Sequence, residues 1–273
     1  MIKFAVMTFM YPREGDGTHE KLIKIIADAG GQGIEAFANH FMGDTALVEL
    51  YQREMKNYGV TMPVMDVLAN LAEPEGEKRR EAYDKVRQGI DICESLESEI
   101  VHLAGCRLAE GQAADDGRKW IVEGLMNFAD DVAKRGMTLA FEDFNPAASL
   151  ICSSSDCLEI LKQTAGKVKF VFDTGNFQAA GERAEDVFDQ LIDYTCHFHF
   201  KDFDHLKPEE PSTTCRGANF GQGATNNAEI IKKAKKSGYS GWVALESYPQ
   251  QGNGPEKVIP EELAVLKKMF AEA

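Results

Sequence analysis

The sequence repeats one pattern eight times: a short apolar run rich in β-branched and aromatic residues, then a longer segment with helical periodicity. The runs predict strands at Lys3–Phe9, Gly33–Phe37, Val60–Leu68, Glu99–Leu103, Thr138–Glu142, Lys169–Asp173, Cys196–Phe200 and Trp242–Glu246. Because parallel strands are joined by crossovers, which are usually helices, this alternation predicts a parallel α/β sheet. Eight such units typically close into a (β/α)₈ TIM barrel of about 250 residues, so we expect the 273 residues to form a single domain, 1–273.

An open, doubly wound sheet is the structural alternative. Such folds usually carry a glycine-rich loop after the first strand, whereas segment 9–13 reads Phe-Met-Tyr-Pro-Arg. Pro63 lies inside the third predicted strand, where proline is disfavoured because it cannot donate a ladder hydrogen bond. The barrel is the favoured prediction, and Pro63 argues against an unbroken hydrogen-bond ladder in this one strand.

Acidic residues and a histidine follow the apolar runs of the fifth to eighth strands. Glu142, Asp173 and Glu246 each end such a run, and His199 lies near the end of the seventh. TIM barrels place their active sites at the C-terminal ends of the strands, so these side chains should share one rim. Crowded carboxylates repel one another unless a cation lies between them, and three carboxylates with one imidazole suit Mn²⁺, Mg²⁺ or Co²⁺. The sequence therefore predicts a divalent-metal site with Glu142, Asp173, His199 and Glu246 as ligands.

The seventh strand contains a second histidine on the same face. If Phe198 and Phe200 pack outward against helices, alternation directs both His197 and His199 into the barrel. His199 is nearer the C-terminal end and is assigned as the ligand. His197 is predicted to be a hydrogen-bonded core residue.

Charge and cysteine content narrow the class of protein. With 44 Asp+Glu against 30 Lys+Arg, the net charge of −14 and the lack of a basic stripe argue against a nucleic-acid partner. No apolar run of about 18 residues predicts a membrane span, and the start lacks the features of a signal peptide. The six cysteines match neither a zinc ribbon nor a redox pair, so we expect reduced thiols and a cytoplasmic location.

Four motifs resemble those of the sugar phosphate isomerase/epimerase superfamily, the xylose-isomerase-like TIM barrels. They are Phe141–Asn145 (FEDFN), Phe172–Asn176 (FDTGN), His197–Asp202 (HFHFKD) and Ala244–Glu246 (ALE). The resemblance covers the whole chain and is strongest between residues 138 and 248. It indicates a superfamily rather than a substrate.

The resemblance implies roles for particular residues. Members of the ketose 3-epimerase type bind a divalent metal, often Mn²⁺, through the residues that match the four predicted ligands. The glutamates matching Glu142 and Glu246 also act as the acid/base pair. The implied cofactor is Mn²⁺, with Mg²⁺, Co²⁺ or Zn²⁺ as alternatives.

The same resemblance indicates substrate-binding residues. His102 matches a histidine that some relatives use for metal or substrate, and Lys201 and Arg216 lie where relatives often place basic groups for the substrate. Asn176 stands where several relatives carry histidine, and we assign it to substrate binding too. The apurinic endonuclease branch has an Asp-x-His pair after the seventh strand; segment 215–220 reads Cys-Arg-Gly-Ala-Asn-Phe, which argues against DNA repair.

The predicted chemistry is proton transfer beside the carbonyl of a ketose or related keto-sugar or keto-cyclitol, through an enediolate that the metal stabilises as a Lewis acid. Return of the proton to the opposite face of the same carbon gives epimerisation, and return to the adjacent carbon gives isomerisation. Expulsion of a β-hydroxyl instead gives dehydration, as in inosose and dehydroshikimate dehydratases of this superfamily. A barrel that binds a sugar or a partner subunit without chemistry is the alternative outside enzymes.

The loops after the first strands are expected to determine the substrate. The candidate pocket residues there are Phe9, Glu35, Phe37, His40 and Asp66. Gly221-Gln222-Gly223, before a predicted helix, either offers N–H groups to a substrate phosphate or forms a plain turn. Because relatives often form dimers or tetramers, a homo-oligomer is expected, although the sequence indicates no interface.

Overall fold

Eight parallel strands form a closed barrel in the computed structural model, which describes residues 1–11, 17–108, 110–144, 150–204, 216–248 and 253–273. The strands are β1 (Lys3–Met7), β2 (Gly33–Phe37), β3 (Thr61–Leu68), β4 (Ile100–Ala104), β5 (Thr138–Glu142), β6 (Lys169–Asp173), β7 (Thr195–Phe200) and β8 (Trp242–Leu245). Each strand pairs with the next, and β8 closes the barrel by pairing with β1. The predicted (β/α)₈ TIM barrel is confirmed.

Helices lie in the crossovers between the strands. They are α1 (Thr18–Asp28), α2 (Thr45–Tyr58), α3 (Glu77–Ser95), α4 (Ala114–Lys134), α5 (Ser154–Gln163), α6 (Asn176–Ala179), α7 (Ala184–Leu191), α8 (Asn227–Lys236) and α9 (Pro255–Glu272). Ser153 caps α5, because its hydroxyl accepts from the Asp156 N–H while the Asp156 carboxylate accepts from the Ser153 N–H. The single turn α6 is not predicted by the sequence pattern.

Pro63 is accommodated in β3 by a local irregularity. β3 pairs Thr61 with Gly33 and then Val64 with Glu35, so one extra residue of β3 lies between these two pairs. Such a bulge interrupts the ladder and leaves a residue unpaired, which suits a proline without an N–H. The strand is therefore present, and the bulge removes the doubt that Pro63 raised.

Apolar side chains pack between the strands and the surrounding helices, and also in the interior of the barrel. Outside, the Phe198 ring stacks on Phe188 of α7 at 6.2 Å between centroids, and Phe200 meets Phe270 of α9 edge-on at 5.5 Å. Inside, the lower level is apolar and is formed by Val64, Ile100, Ala140 and Val171, with Ala5, Trp242 and Ala244 beside them. Closer to the C-terminal ends of the strands, the inward-facing side chains are charged.

The cysteines are free thiols in the part of the chain that the structure describes. Cys93, Cys106 and Cys157 are buried, and Cys152 and Cys196 are half-buried. Cys215 lies outside the described residues. In those same residues, no helix is both long enough and apolar enough to cross a membrane.

Candidate active site

Nine ionisable side chains from β2 to β8 and the residues just after them meet inside the upper barrel. They are Glu35, Asp66, His102, Glu142, Asp173, His197, His199, Lys201 and Glu246, each at most 7% exposed. Burying isolated charges is costly, so groups like these persist only when they are paired or bind cations. The partners of each group therefore indicate what the site can do.

The four predicted metal ligands come together around one atom, His199 Nδ1. This nitrogen lies 3.2 Å from Glu142 Oε2, 3.7 Å from Glu246 Oε2 and 3.9 Å from Asp173 Oδ2. With metal–ligand bonds of about 2.1 Å, neighbouring ligand atoms stand about 3.0–3.5 Å apart, so these separations are close to those of a coordination shell. The donor set fits a divalent cation, and the ligand assignment stays a prediction.

Asp173 has a separate task for each of its carboxylate oxygens. Oδ1 accepts hydrogen bonds from the N–H groups of Gly175 and Asn176, both at 2.8 Å, and so satisfies two N–H groups at the start of the short helix α6. Oδ2 faces the site and lies 2.7 Å from Lys201 Nζ. Asp173 therefore both supports the turn that begins α6 and belongs to the charged cluster.

Lys201 is a cation already present among these carboxylates. Its Nζ lies 2.7 Å from Asp173 Oδ2 and 2.8 Å from Glu246 Oε1, and it donates to Asn176 Oδ1 at 3.3 Å. Burial alone would lower the pKa of Lys201, but the charges of Asp173 and Glu246 outweigh burial and hold it well above its usual range. Lys201 therefore relieves part of the repulsion between the carboxylates, so a metal is not the only cation that can do so.

Glu35 joins the two histidines of β7 from the opposite side of the barrel. Its Oε1 lies 2.8 Å from His199 Nε2 and its Oε2 lies 3.0 Å from His197 Nε2. Burial would raise the pKa of Glu35, but the two imidazoles bring it well below the ordinary value. His197 Nδ1 donates to the Trp242 carbonyl at 3.0 Å, so His197 is the hydrogen-bonded core residue that alternation suggested.

His102 and Asp66 form a second carboxylate–histidine pair. His102 Nδ1 lies 2.5 Å from Asp66 Oδ1, and burial together with the charge of Glu35 raises the pKa of Asp66 to about 7. His102 Nε2 points towards Glu142 Oε1 at 3.7 Å and has no hydrogen-bond partner within the described part of the chain. Sequence reasoning did not find this pair, because Asp66 and His102 lie on different strands and meet only through the register of β3 and β4.

A cavity of about 170 Å³ opens directly onto this cluster. Aromatic rings of Phe9, Phe37, Phe203 and Tyr248 form much of its wall, and Phe9 lies 5.7 Å from Phe37 and 6.3 Å from Tyr248 between centroids. Its polar lining comes from Asp66, Glu142, Asn176, His199, Lys201 and Glu246. This lining suits a small molecule with one apolar and one polar face.

The remaining pocket predictions have mixed outcomes. Phe9, Phe37 and Asp66 line the cavity, whereas Glu35 lies behind His199 and His40 is exposed. Arg216 is also exposed and does not belong to the cavity lining; its carbonyl accepts from the Asp204 N–H at 2.9 Å. Asn145 of the first motif lies outside the described residues.

Comparison with known proteins places the chain in one family. The family model described as xylose isomerase-like TIM barrel matches residues 23–269. The chain belongs to this family. A solved structure of IolI protein with a bound zinc atom superposes with a TM-score of 0.84 at 15% identity, covering 99% of this chain and 98% of that one, which shows the shared fold.

Curated relatives in this xylose isomerase-like group have two kinds of activity. The chain is 25% identical over 169 residues to an inosose dehydratase of Lacticaseibacillus casei, covering 58% of this chain and 55% of that protein, so it spans about half the relative's length. It is 23% identical over 220 residues to an L-ribulose-5-phosphate 3-epimerase of Salmonella typhi, covering 79% of this chain and 74% of that enzyme. The relatives thus include both a lyase and an isomerase.

The N–H groups of Gly221 and Gly223, after β7, donate hydrogen bonds to the side chain of Asp202. Asp202 Oδ2 accepts from the N–H groups of Gly221 and Gly223, both at 3.0 Å, and Oδ1 accepts from the Thr225 N–H at 3.0 Å. A β-carbon on Gly223 would lie 2.3 Å from Asp202 Oδ1, so glycine permits this close approach. These N–H groups are therefore bonded to a carboxylate of this chain, which favours the turn over a phosphate site.

Proposed function

We propose that this barrel is a divalent-metal-dependent enzyme that moves a proton next to the carbonyl group of a ketose or keto-cyclitol. The observation that supports it most is the convergence of Glu142, Asp173 and Glu246 on His199 Nδ1, at 3.2 to 3.9 Å, beside a small cavity. Both activities named for the curated relatives are consistent with such a proton transfer.

Glu142, Asp173, His199 and Glu246 would hold the metal, with Mn²⁺ as the expected ion because carboxylate oxygens outnumber nitrogen in the set. When bound, it would supply Lewis-acid stabilisation for the negative charge that develops on the carbonyl oxygen. Lys201 adds a fixed positive charge beside Asp173 and Glu246. Asn176 holds that lysine in place at 3.3 Å while also lining the cavity.

Glu142 and Glu246 are proposed as the acid/base pair. Glu246 Oε1 accepts from Lys201 Nζ at 2.8 Å and from the Tyr248 hydroxyl at 3.1 Å, which fixes the carboxylate and leaves Oε2 on the side of His199. Glu142 reaches the same place from β5, three strands away. Two carboxylates that approach from different strands can remove a proton from one face of a carbon and return it to the other, which is epimerisation.

Dehydration is the second candidate, because inosose dehydratase is among the curated relatives. Removal of the same proton, followed by departure of a β-hydroxyl, would give a lyase. The two reactions share their first step and differ in the fate of the hydroxyl, so one assay can separate them.

The test combines metal analysis with proton exchange. We expect about one Mn, Co, Mg or Zn per chain by plasma mass spectrometry of protein purified without chelator. His199→Ala should lose the ion, whereas His40→Ala, at an exposed histidine, should keep it. In D₂O, NMR of ketopentoses, ketohexoses, their phosphates and inososes should show deuterium next to the carbonyl for an epimerase, and water loss for a dehydratase.

The absence of metal from the wild type even after reconstitution would contradict the ligand set. A bound metal without exchange or water loss on any of these compounds would instead favour a barrel that binds a sugar or a partner without chemistry.

A further inference from the structure

Glu35 lies directly behind His199, on the side away from the three carboxylates. It is fully buried in the middle of β2, and its Oε1 contacts His199 Nε2 at 2.8 Å. Its other oxygen contacts His197 Nε2 at 3.0 Å. Both oxygens of Glu35 are therefore engaged by imidazoles.

His197 fixes the position of the Glu35 carboxylate. His197 Nδ1 faces the Trp242 carbonyl oxygen at 3.0 Å, and a carbonyl can only accept, so that nitrogen carries a proton. This anchors the His197 ring to β8 and, through Nε2, the Glu35 carboxylate to the His197 ring. The Thr8 hydroxyl also donates to the Glu35 carbonyl oxygen at 2.8 Å, which holds the β2 backbone.

An ionised carboxylate can only accept hydrogen bonds, so the contact at 2.8 Å requires a proton on His199 Nε2. In a neutral imidazole, the other nitrogen then carries the lone pair. That nitrogen, Nδ1, is the atom on which Glu142, Asp173 and Glu246 converge.

We propose that Glu35 is a positioning residue that selects the Nε2–H tautomer of His199 and so presents the Nδ1 lone pair to the cation. The inference rests on the proposed metal function of His199. Carboxylates or carbonyls that hold the outer nitrogen of a ligating histidine fix its tautomer and ring orientation in metal sites generally.

The competing tautomer shows what Glu35 prevents. With the proton on Nδ1, His199 would donate to Glu142 Oε2, which is 3.2 Å away. The lone pair would then be on Nε2 and would face Glu35, away from the three carboxylates. A hydrogen bond between two of the predicted ligands would then compete with metal binding. Glu35 disfavours this state because its carboxylate would lie against the lone pair on Nε2.

Two substitutions of Glu35 separate this role from simple core packing. Glu35→Leu places an apolar side chain at this position and removes the acceptor, so the Kd for Mn²⁺ and Zn²⁺ should rise about 10- to 100-fold. Glu35→Gln retains a carbonyl oxygen that can accept from His199 Nε2, and its Kd should stay within about threefold of the wild type. Thr164→Val, which removes a buried hydrogen bond to the Leu161 carbonyl outside the charged cluster, is the control for the loss of a buried polar group and should leave the Kd unchanged.

The tautomer itself is read by ¹⁵N NMR of histidine-labelled protein, with the His199 signals identified from their loss in His199→Gln. We expect a protonated Nε2 in the metal-free wild type as the ring becomes neutral, and metal coupling at Nδ1 in the protein loaded with ¹¹³Cd²⁺. Glu35→Leu should shift the proton to Nδ1, and Glu35→Gln should restore the wild-type pattern. A protonated Nδ1 in the neutral wild-type ring, or unchanged metal affinity and tautomer in Glu35→Leu, would overturn the proposal.

The two readouts keep this inference separate from the proposed function. If the wild type binds no metal but shows the Nε2–H tautomer and its loss in Glu35→Leu, the metal proposal fails and the role of Glu35 in selecting the tautomer stands. If metal binds and the tautomer does not depend on Glu35, the metal proposal stands and the proposed role of Glu35 fails.

Discussion

Lys201 differs from every other lysine in the described part of the chain, because it is only 3% exposed and sits between two buried carboxylates. With Lys201 and one divalent cation, the charge of Glu142, Asp173 and Glu246 would be balanced. Lys201 thus offsets part of the repulsion among the three buried carboxylates in the metal-free protein. Removal of the Lys201 charge alone is costly, since it leaves the buried carboxylates of Asp173 and Glu246 without their counter-ion.

We expect Lys201→Met to lower the free energy of unfolding of the metal-free protein by about 3 kcal/mol, because Asp173 and Glu246 lose their buried counter-ion. Lys233→Met is the matched control: Lys233 Nζ lies 2.8 Å from Asp189 Oδ2, but Asp189 is 77% exposed. Removal of that surface pair should cost less than about 1 kcal/mol. Urea denaturation in chelator measures both; equal effects would mean that Lys201 is not a structural counter-ion.

Substitution of Glu246 tests its assignment to proton transfer. In Glu246→Gln the hydrogen bond from Lys201 can be kept, but the group can no longer take a proton, so exchange next to the substrate carbonyl should fall about 10²- to 10⁴-fold. Tyr248→Phe removes only the hydroxyl that donates to Glu246 Oε1 at 3.1 Å and should cost less than about tenfold. Metal content is measured alongside turnover. Wild-type exchange in Glu246→Gln would exclude Glu246 as acid or base.

At the scale of single elements, the crossover helices are held close to the strands by small residues. Gly89 of α3 faces Val67 of β3, and a β-carbon there would lie 2.5 Å and 2.7 Å from the two Val67 methyl groups. Valine is stiff at χ1 and cannot easily turn away. The spacing of α3 from the sheet therefore depends on the absence of one side chain.

Gly89→Ala should destabilise the protein by about 1 kcal/mol, because overpacking of about 1–3 kcal/mol exceeds the gain of up to about 1 kcal/mol in helix propensity. A double-mutant cycle with Val67→Ala checks the cause: the second substitution removes both methyl groups, so the cost of Gly89→Ala should fall in its presence. Additive effects on the free energy of unfolding would show that the two residues do not clash.

At the scale of the whole molecule, barrel closure builds the site from residues distant in sequence. Glu35 and His199 are separated by 164 positions and touch at 2.8 Å because β2 and β7 face each other across the barrel. The upper interior is a single network that joins seven strands. Binding of a cation to this network should therefore stabilise the entire barrel rather than one loop.

Metal at 100 times its Kd should stabilise the folded protein by about 2.7 kcal/mol, which for a domain of this size raises Tm by roughly 5–10 °C. Removal of metal with EDTA should reverse the shift. His199→Ala should show no dependence of Tm on metal, which controls for weak surface binding. A shift that is equal in His199→Ala would place the metal elsewhere.

The sequence alone determined the barrel, most strand bounds and the convergence of Glu142, Asp173, His199 and Glu246, because strand periodicity and the position of strand ends are local properties. β2, β5 and β6 match their predicted bounds, whereas β1 ends two residues earlier than predicted, and α6 and the bulge at Pro63 escaped the pattern. Local patterns also indicated that His197 and His199 share one face.

Only the tertiary structure decided how the buried charges are paired. Glu35 behind His199, Asp66 beside His102 and Lys201 between Asp173 and Glu246 all depend on distances across the closed barrel. It also showed that Arg216 is outside the cavity lining and that Asp202 occupies the glycine N–H groups. Alternation specifies the side of a strand, but whether two inward side chains meet depends on the closure and register of all eight strands.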